Sequence, residues 1–344
     1  MKIVIDNSIP FIEGVFEPFS EVRYKAGEDI VRADVIDADA LIVRTRTRCN
    51  EKLLHGTSVK MIATATIGTD HIDQEYCDAH GIFFKNASGC NSGGVMNYVF
   101  SALFGIAARK SISLTDATIG IVGVGNVGHK VEMAARSLGF KVLLCDPPRS
   151  AAEGPTQFCE LDRLLEGSDI VTMHVPLNRE TLNMADAGFF GKMKVGAFFI
   201  NAARGDIVDE NALIDAAPKL GPIVIDTWRN EPEVNRKLLD IAAIATPHIA
   251  GYSYQGKQLG TAMAVRGIAR FFGIGSLYEF FPAATDNEMK AVKIDYRGKD
   301  QGELASIIQY NYPIFTDDFM FRTNPESFES LRKNYQYRQE FYID

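Results

Sequence analysis

Three clusters of polar residues each follow a short apolar run in the middle of the chain. The clusters are Asn201–Gly205, which contains Arg204, Asp226–Pro232, which contains Glu231, and Thr246–Tyr252, which contains His248. A histidine takes up a proton near neutral pH, and a neighbouring carboxylate stabilises the imidazolium that results. An arginine fork matches the geometry of a substrate carboxylate. The three residue types together predict a site that removes the proton from a hydroxyl group next to a carboxylate.

Each of these residues, taken alone, also has a structural explanation. His248 follows a proline in a predicted loop, where a histidine is most often structural. Glu231 precedes Pro232 in what could be a solvated turn, and Arg204 could pair with Asp206. The clusters follow successive strands of one predicted sheet, however, and ligands of open α/β sheets bind at the carboxyl ends of the strands. This shared position favours the catalytic interpretation.

The segment Gly123–Gly128, of sequence GVGNVG, follows a predicted strand and begins a predicted helix. In a dinucleotide-binding loop the first glycine permits a tight turn, the second leaves room for a pyrophosphate, and the third lets the helix approach the strand. Asp146, after the next predicted strand, is placed to accept the ribose hydroxyls and favours NAD over NADP, although Arg149 weakens that inference slightly. The nicotinamide ring of NAD would accept a hydride beside His248. We therefore predict an NAD-dependent oxidoreductase that acts on a 2-hydroxy acid.

Short apolar runs alternate with longer mixed segments, the pattern of doubly wound parallel sheets. The predicted strands are residues 3–5, 40–43, 61–65, 118–122, 141–145, 170–173, 197–200, 222–225 and 243–245, with helices over 93–109, 130–138, 211–217 and 256–272. We therefore predict a substrate-binding domain over residues 1–93, completed by about 256–275, and an NAD-binding domain over 94–255. Residues 276–344, where aromatic and charged residues increase, are predicted to form a separate small module.

The composition limits the classes of partner. Of the 344 residues, 46% are hydrophobic and 23% charged, as in soluble globular proteins, and the net charge of −8 argues against binding to nucleic acid or an anionic membrane. No apolar run approaches the roughly 20 residues of a membrane span, and the start of the chain does not resemble a signal peptide. The five cysteines fit neither a zinc site nor a disulfide framework, so we predict no metal and a cytoplasmic location.

Residues 40–270 resemble the D-isomer-specific 2-hydroxyacid dehydrogenases. The matching motifs are Gly68–Asp73, Gly123–Gly128, His174–Leu177, Asn201–Gly205, Asp226–Pro232 and Pro247–Tyr252. The resemblance implies two Rossmann-like α/β domains with the active site in a cleft between them, and it implies catalytic roles for Arg204, Glu231 and His248. The predicted cofactor contacts are Gly123, Gly125, Asn126, Val127, Gly128, Asp146, Val175, Ala202, Ala203, Asp226 and Gly251. The implied substrate contacts are Thr45, Thr66 and Tyr252.

Finer features resemble one branch of this family, whose substrate is a small phosphorylated 2-hydroxy acid. They are the segment Leu143–Arg149, of sequence LLCDPPR, and the segment Leu331–Tyr335, which lies in what that branch uses as a C-terminal α+β dimerisation module. The resemblance therefore implies a homodimer. Asn97 departs from the pattern, because the family usually has glutamate there.

Some alternatives stay open at this point. The substrate phosphate could be held by the arginines of the segment Arg44–Arg48, or by Arg332 or Lys333. The chain could be another enzyme of the family, acting for example on 3-phosphoglycerate. It could also be an NAD-sensing binding protein of the same fold, since fold alone does not determine function.

Overall fold

The computed structural model describes residues 1–283 and 291–343. The chain forms two compact units. Unit 1 combines Met1–Asn91 with the segment that begins at Tyr254, and unit 2 combines Ser92–Ser253 with the C-terminal segment, described over residues 291–343. No helix in the described ranges is long and apolar enough to cross a membrane.

The strands belong to three parallel sheets. They are β1 (Lys2–Asp6), β2 (Glu21–Lys25), β3 (Ala40–Val43), β4 (Met61–Thr64), β5 (Phe83–Asn86), β6 (Thr118–Val122), β7 (Lys141–Cys145), β8 (Ile170–Met173), β9 (Phe198–Asn201), β10 (Ile223–Ile225), β11 (Ile244–Ala245), β12 (Val292–Ile294) and β13 (Phe341–Ile343).

The α-helices connect and cover these strands. They are α1 (Arg32–Val35), α2 (Glu51–Leu54), α3 (Gln74–Ala79), α4 (Ser92–Lys110), α5 (Asn126–Ser137), α6 (Pro147–Glu153), α7 (Leu161–Gly167), α8 (Ala187–Lys192), α9 (Glu210–Ala216), α10 (Arg236–Ile241), α11 (Tyr254–Phe272), α12 (Gln301–Asn311), α13 (Ile314–Thr323) and α14 (Phe328–Lys333).

Unit 1 is built on a five-stranded parallel sheet in the order β2-β1-β3-β4-β5. All residues of the inner strands β3 and β4 are buried, as expected for strands that are covered on both faces. On one face, Val265 and Ile268 of α11 pack in the same apolar cluster as Ile5 of β1 and Ile42 of β3. The predicted strands of this region are confirmed. The two edge strands β2 and β5 were not predicted.

Unit 2 contains a six-stranded parallel sheet in the order β11-β10-β9-β8-β6-β7. The chain runs from β6 to β7 on one side and then to β8 on the other, so the strand order reverses next to β6. Ligands of doubly wound sheets bind at such a switch point, outside the carboxyl ends of the strands. The GVGNVG segment lies directly after β6, at this point. The predicted Rossmann-like fold is confirmed.

The C-terminal segment contains α12, α13 and α14 and the two-stranded sheet β12-β13, so it has the predicted α+β content. Its residues Leu304 and Ile308 belong to the same apolar cluster as Leu103 of α4. The Asn97 amide nitrogen donates to the Phe341 carbonyl at 2.7 Å, and its amide oxygen accepts from the Phe341 N–H at 3.0 Å. A carboxylate, which carries no N–H, could not make the first bond.

Candidate active site

The three polar clusters lie where the sequence placed them, after β9, β10 and β11, which are neighbours in the sheet. The loops after β9 and β10 touch, because a Cβ atom on Gly205 would lie 2.0 Å from the carbonyl carbon and oxygen of Trp228. The Trp228 ring Nε1 donates to the Thr246 carbonyl at 2.9 Å and so joins the loops after β10 and β11. Only glycine next to Arg204 permits this close approach.

His248 and Glu231 form a direct pair. The Nδ1 atom of His248 lies 2.8 Å from Oε2 and 3.0 Å from Oε1 of Glu231. An ionised carboxylate only accepts hydrogen bonds, so Nδ1 carries the proton and Nε2 keeps its lone pair. The His248 side chain is 29% exposed. The pair therefore presents a ring nitrogen that is oriented to take a proton.

The Glu231 carboxylate is held by its surroundings. Burial raises its pKa, but this is outweighed by His248, by the Trp228 N–H and by the charge of Arg332, so that the pKa lies below its ordinary value. The Trp228 N–H donates to Oε1 at 3.0 Å. Glu231 is thus kept ionised beside the histidine.

We expect Glu231 to make the stability of the protein depend on pH. Because its folded-state pKa is lowered, the carboxylate stabilises the fold above the unfolded-state pKa of about 4.3, and this contribution is lost as the pH falls through the folded-state pKa. The difference in free energy of unfolding between the parent and Glu231→Gln should therefore shrink below about pH 4. Urea unfolding at pH 7 and at decreasing pH measures it, and a constant difference would contradict the expectation.

His248 has left-handed backbone geometry, with φ of 56°. Residues other than glycine adopt this conformation at a cost of about 1 kcal/mol or more, so neighbouring contacts must hold it. Asp226 supplies several of them. Its Oδ1 accepts from the Thr246 hydroxyl at 2.7 Å and the Ile249 N–H at 2.8 Å, and its Oδ2 accepts from the Ala250 N–H at 2.9 Å.

These bonds give Asp226 a role that the sequence did not indicate. The residue is buried and organises the loop that carries His248, whose own N–H donates to the Asp226 carbonyl at 2.7 Å. Burial raises the pKa of Asp226, against the opposing effects of His248 and of the hydrogen bonds. The carboxylate has about four acceptor sites and uses three of them here. A contact between Asp226 and the nicotinamide stays a prediction.

The glycines of the GVGNVG segment have three different environments. Gly123 has φ of +85° and turns the chain sharply after β6, and a Cβ on Gly128 would lie 2.0 Å from the Gly123 carbonyl oxygen. A Cβ on Gly125, by contrast, would meet no atom within 4 Å. Gly125 is the residue before α5, whose first N–H groups favour an anion. The absence of atoms around Gly125 leaves room for a pyrophosphate at the start of the helix, so the segment fits a dinucleotide.

We expect Gly125→Val to weaken NAD binding at least about tenfold while the protein stays folded, because the new side chain would fill the open space at the helix start. Calorimetric titration of nucleotide-free protein measures the affinity, and thermal unfolding measures the stability. Gly128→Ala is the contrasting variant, since its methyl group would collide with the Gly123 carbonyl and should lower the melting temperature. Unchanged NAD affinity in Gly125→Val would contradict the assignment.

Asp146 lies between β7 and α6 and caps the start of α6. Its Oδ2 accepts from the Val124 N–H at 2.7 Å and its Oδ1 from the Arg149 N–H at 3.0 Å, so the carboxylate is fixed beside the glycine loop. The Arg149 guanidinium donates to the Val124 carbonyl at 2.8 Å and to both Glu153 oxygens. Arg149 is thus paired with Glu153, which agrees with the preference for NAD.

The remaining predicted cofactor residues lie on the same edge of the unit 2 sheet. Val175 touches the glycine loop, since a Cβ on Gly123 would lie 2.8 Å from it. The other residues belong to α5 and to the loops after β9 and β11, and they are Asn126, Val127, Ala202, Ala203 and Gly251. Arg204 donates from Nη1 to the Ala203 carbonyl at 2.8 Å. The contacts of these residues with a cofactor stay predictions.

The predicted substrate residues are divided between the units. Thr45 follows β3 and Thr66 follows β4, both in unit 1, and the Thr66 hydroxyl lies 2.7 Å from the Thr64 hydroxyl. Arg44 donates to the Ser8 carbonyl at 2.9 Å. Tyr252 lies in unit 2, four residues after His248. Among the described residues, no group of three or more His, Cys, Asp or Glu side chains is arranged to hold a metal ion.

Comparison with known proteins shows extensive similarity to one group of enzymes. Residues 104–250 match the NAD-binding domain of the D-isomer-specific 2-hydroxyacid dehydrogenases. The chain is 44% identical to the erythronate-4-phosphate dehydrogenase of Bacteroides thetaiotaomicron, over 99% of this chain and 97% of that protein. It is 40% identical to the enzyme of the same name from Escherichia coli, over 99% of this chain and 92% of that protein.

Solved structures agree with this relationship. An NAD⁺-bound 3-phosphoglycerate dehydrogenase from Entamoeba histolytica has a TM-score of 0.68 and 28% identity, over 81% of this chain and 97% of that one. The D-lactate dehydrogenase of Aquifex aeolicus, solved with NAD and lactic acid, has a TM-score of 0.64 and 25% identity, over 83% of this chain and all of that one. The chain belongs to the D-isomer-specific 2-hydroxyacid dehydrogenase family, and the two full-length relatives compared above are named erythronate-4-phosphate dehydrogenase.

Proposed function

We propose that this protein oxidises 4-phospho-D-erythronate at C2 to 2-oxo-3-hydroxy-4-phosphobutanoate with NAD, a step of pyridoxal 5′-phosphate biosynthesis. The names of its full-length relatives support this substrate. The single structural observation that carries the chemistry is the His248–Glu231 pair, with Nδ1 and Oε2 2.8 Å apart at the carboxyl edge of a dinucleotide-binding sheet.

The chain's own residues perform the proton transfer. His248 takes the proton of the C2 hydroxyl at Nε2, and Glu231 stabilises the imidazolium through its bond to Nδ1. Arg204 binds the substrate carboxylate and polarises the oxygen at C2, as an arginine fork does. When the C2–O bond becomes a carbonyl, the C2 hydrogen leaves as a hydride. The proton on His248 then passes to water, and the pair returns to its starting state.

NAD, when bound, supplies the acceptor for this hydride. The open space at Gly125 would hold its pyrophosphate, and Asp146 would accept hydrogen bonds from the adenosine ribose. Val175, Ala203 and Gly251 would line its nicotinamide half. Thr45, Thr66 and Tyr252 would contact the substrate, whose phosphate requires a cation. The arginines of the segment Arg44–Arg48, and Arg332 and Lys333, remain the competing candidates for that contact.

The experiment that tests the proposal measures NADH formation by the purified protein with NAD and 4-phosphoerythronate. 3-Phosphoglycerate and D-lactate serve as alternative substrates, and a 2-oxo acid is added to reoxidise any tightly bound cofactor. We expect a clear preference for 4-phosphoerythronate. Activity on an alternative alone would discard this substrate but keep the mechanism. No activity on any of them would favour an NAD-sensing binding protein.

The protein is further proposed to be a cytoplasmic homodimer. Its five cysteines are free thiols, as in a reducing compartment, and burial raises the pKa of Cys145 to about 11.

Three large apolar side chains of α12 and α13 are strongly exposed, at 88% for Tyr310, 67% for Phe319 and 49% for Met320, and a second copy would cover them. Light scattering should give twice the chain mass for the parent.

We expect Phe319→Asp to weaken the dimer, because a charge at the centre of an apolar interface is costly to bury. Light scattering at decreasing protein concentration compares it with Phe83→Asp, an equally accessible phenylalanine of unit 1 (63% exposed) that lies outside the C-terminal segment. A Phe319→Asp protein that stays dimeric at every concentration would place the interface elsewhere.

A further inference from the structure

Three of the carbonyl groups in the four residues after His248 accept hydrogen bonds from one arginine of the C-terminal segment. Nη1 of Arg338 donates to the Tyr252 carbonyl at 3.0 Å and to the Ile249 carbonyl at 3.3 Å. Nη2 donates to the Ala250 carbonyl and, at 3.1 Å, to the Gly94 carbonyl. Three of these four acceptors lie within four residues of His248, although Arg338 is 86 to 89 residues away in sequence from each of the three.

The same peptide groups are held from the other side by Asp226, which accepts from the N–H groups of Ile249 and Ala250. The loop after His248 is therefore fixed from two sides. The Asp226 carboxylate accepts hydrogen bonds from its N–H groups, and the Arg338 guanidinium donates hydrogen bonds to its carbonyl groups. Hydrogen bonds to charged groups are about twice as strong as neutral ones. This arrangement is suited to keeping His248 in its left-handed conformation, which an unrestrained loop would leave.

Arg338 is itself held in place. Its guanidinium lies 3.9 Å above the centre of the Tyr312 ring, and Nη1 also donates to the Tyr335 hydroxyl at 3.1 Å. Tyr335 donates in turn to the Asp317 carboxylate at 2.9 Å, so the buried positive charge is linked to a negative one. The residues just before Arg338 also contact Tyr252. The Tyr252 ring packs edge-on against the rings of Tyr335 and Tyr337, with 5.9 Å and 6.3 Å between ring centres.

We propose that Arg338 is a positioning residue of the active site, which holds the peptide groups of Ile249, Ala250 and Tyr252 so that His248 and Tyr252 stand in reactive positions. This inference rests on the proposed function of His248. It assigns to the C-terminal segment a part in the chemistry of its own chain, in addition to any part in assembly.

A purely structural role would produce a different result, and the chain offers a matched control. Arg322 is also partly buried in unit 2, pairs with Asp318 at 2.8 Å, and donates to the carbonyls of Leu239 at 2.5 Å and Ala242 at 2.6 Å. Those carbonyls lie outside the loop that carries His248. Arg322→Met should therefore remove a comparable set of hydrogen bonds, while the Asp318 carboxylate keeps its bond from the Ala245 N–H of β11 at 2.7 Å and the histidine stays in place.

The test compares Arg338→Met, Arg338→Lys and Arg322→Met with the parent. Displacement of a catalytic group by about 1 Å costs on the order of a hundredfold in rate, so we expect Arg338→Met to lower kcat about a hundredfold. Arg338→Lys, which keeps a charged donor, should recover about tenfold of that loss. Arg322→Met should stay within about threefold of the parent despite a similar fall in melting temperature.

A second measurement separates positioning from general loosening. With the substrate deuterated at C2, the isotope effect on kcat should rise in Arg338→Met, because hydride transfer becomes the slow step, and should be unchanged in Arg322→Met. Should Arg338→Met fail to fold, Arg338→Lys and Tyr335→Phe provide the same two readouts with milder changes. Equal kcat and isotope effects in the Arg338 variants and the Arg322→Met control would overturn the inference. Failure of the proposed function has a separate signature, namely full turnover in His248→Ala.

Discussion

Replacement of His248 is expected to lower kcat by about two to four orders of magnitude, with NAD affinity nearly unchanged. A positioned acid–base group contributes about this much, and the glycine loop that fits NAD follows a different strand. His248→Ala adds a backbone effect, because residue 248 has φ of 56° and alanine adopts left-handed geometry poorly. His248→Asn is therefore the sharper variant, since asparagine tolerates this conformation but does not accept a proton near neutral pH.

Steady-state NADH formation and calorimetric NAD titration measure the two quantities for both variants. The control is His55→Ala, which changes an exposed histidine at the end of α2 and should leave kcat within about twofold of the parent. Turnover in His248→Asn equal to that of the parent would remove His248 from the mechanism. A loss of NAD affinity that matched the loss of turnover would mean that the residue acts mainly in binding.

The sequence predicted the sheets and the positions of the site well, because both depend on local patterns. Strands β6, β7 and β8 have the predicted bounds, since each is a largely apolar run; β6 and β8 are buried inside the sheet, and β7, at its edge, has apolar residues at four of five positions. The edge strands β2 and β5 were missed for the same reason. No residue of either strand is buried, and exposed and partly buried positions alternate through Phe83–Asn86 and most of Glu21–Lys25, so neither has a continuous buried apolar run.

What the sequence could not predict depends on contacts between distant parts of the chain. The left-handed φ of His248 and the loop bonds of Asp226 leave no local pattern. Arg338 follows the recognised segment Leu331–Tyr335, but nothing in its neighbours indicates that it binds the loop after β11. Such partners are selected by the folded backbone, so only the structure reveals them.

Replacement of Glu231 by glutamine is expected to lower kcat by about two to four orders of magnitude, because the exchange of one oxygen for an NH₂ group reverses the proton arrangement of His248. The Trp228 N–H, 3.0 Å from Oε1, requires an acceptor there, so the amide oxygen would take that position. The NH₂ group then occupies the position of Oε2, 2.8 Å from Nδ1, and donates to it. The nearer contact of Nδ1 is then a donor, and the oxygen at 3.0 Å already accepts from Trp228, so the proton is favoured on Nε2, the nitrogen that should receive the hydroxyl proton.

The substitution should lower kcat and leave the KM for NAD unchanged. The size and shape of the side chain are not the cause, since glutamine is nearly isosteric with glutamate. Glu233→Gln makes the same chemical change two residues away at an exposed position and should stay within about twofold of the parent. Glu231→Asp keeps the charge but shortens the side chain, so it should retain more activity than Glu231→Gln. If Glu231→Gln kept the parent's turnover, the carboxylate would be needed only for structure, and His248 would have to obtain its correct tautomer from another group.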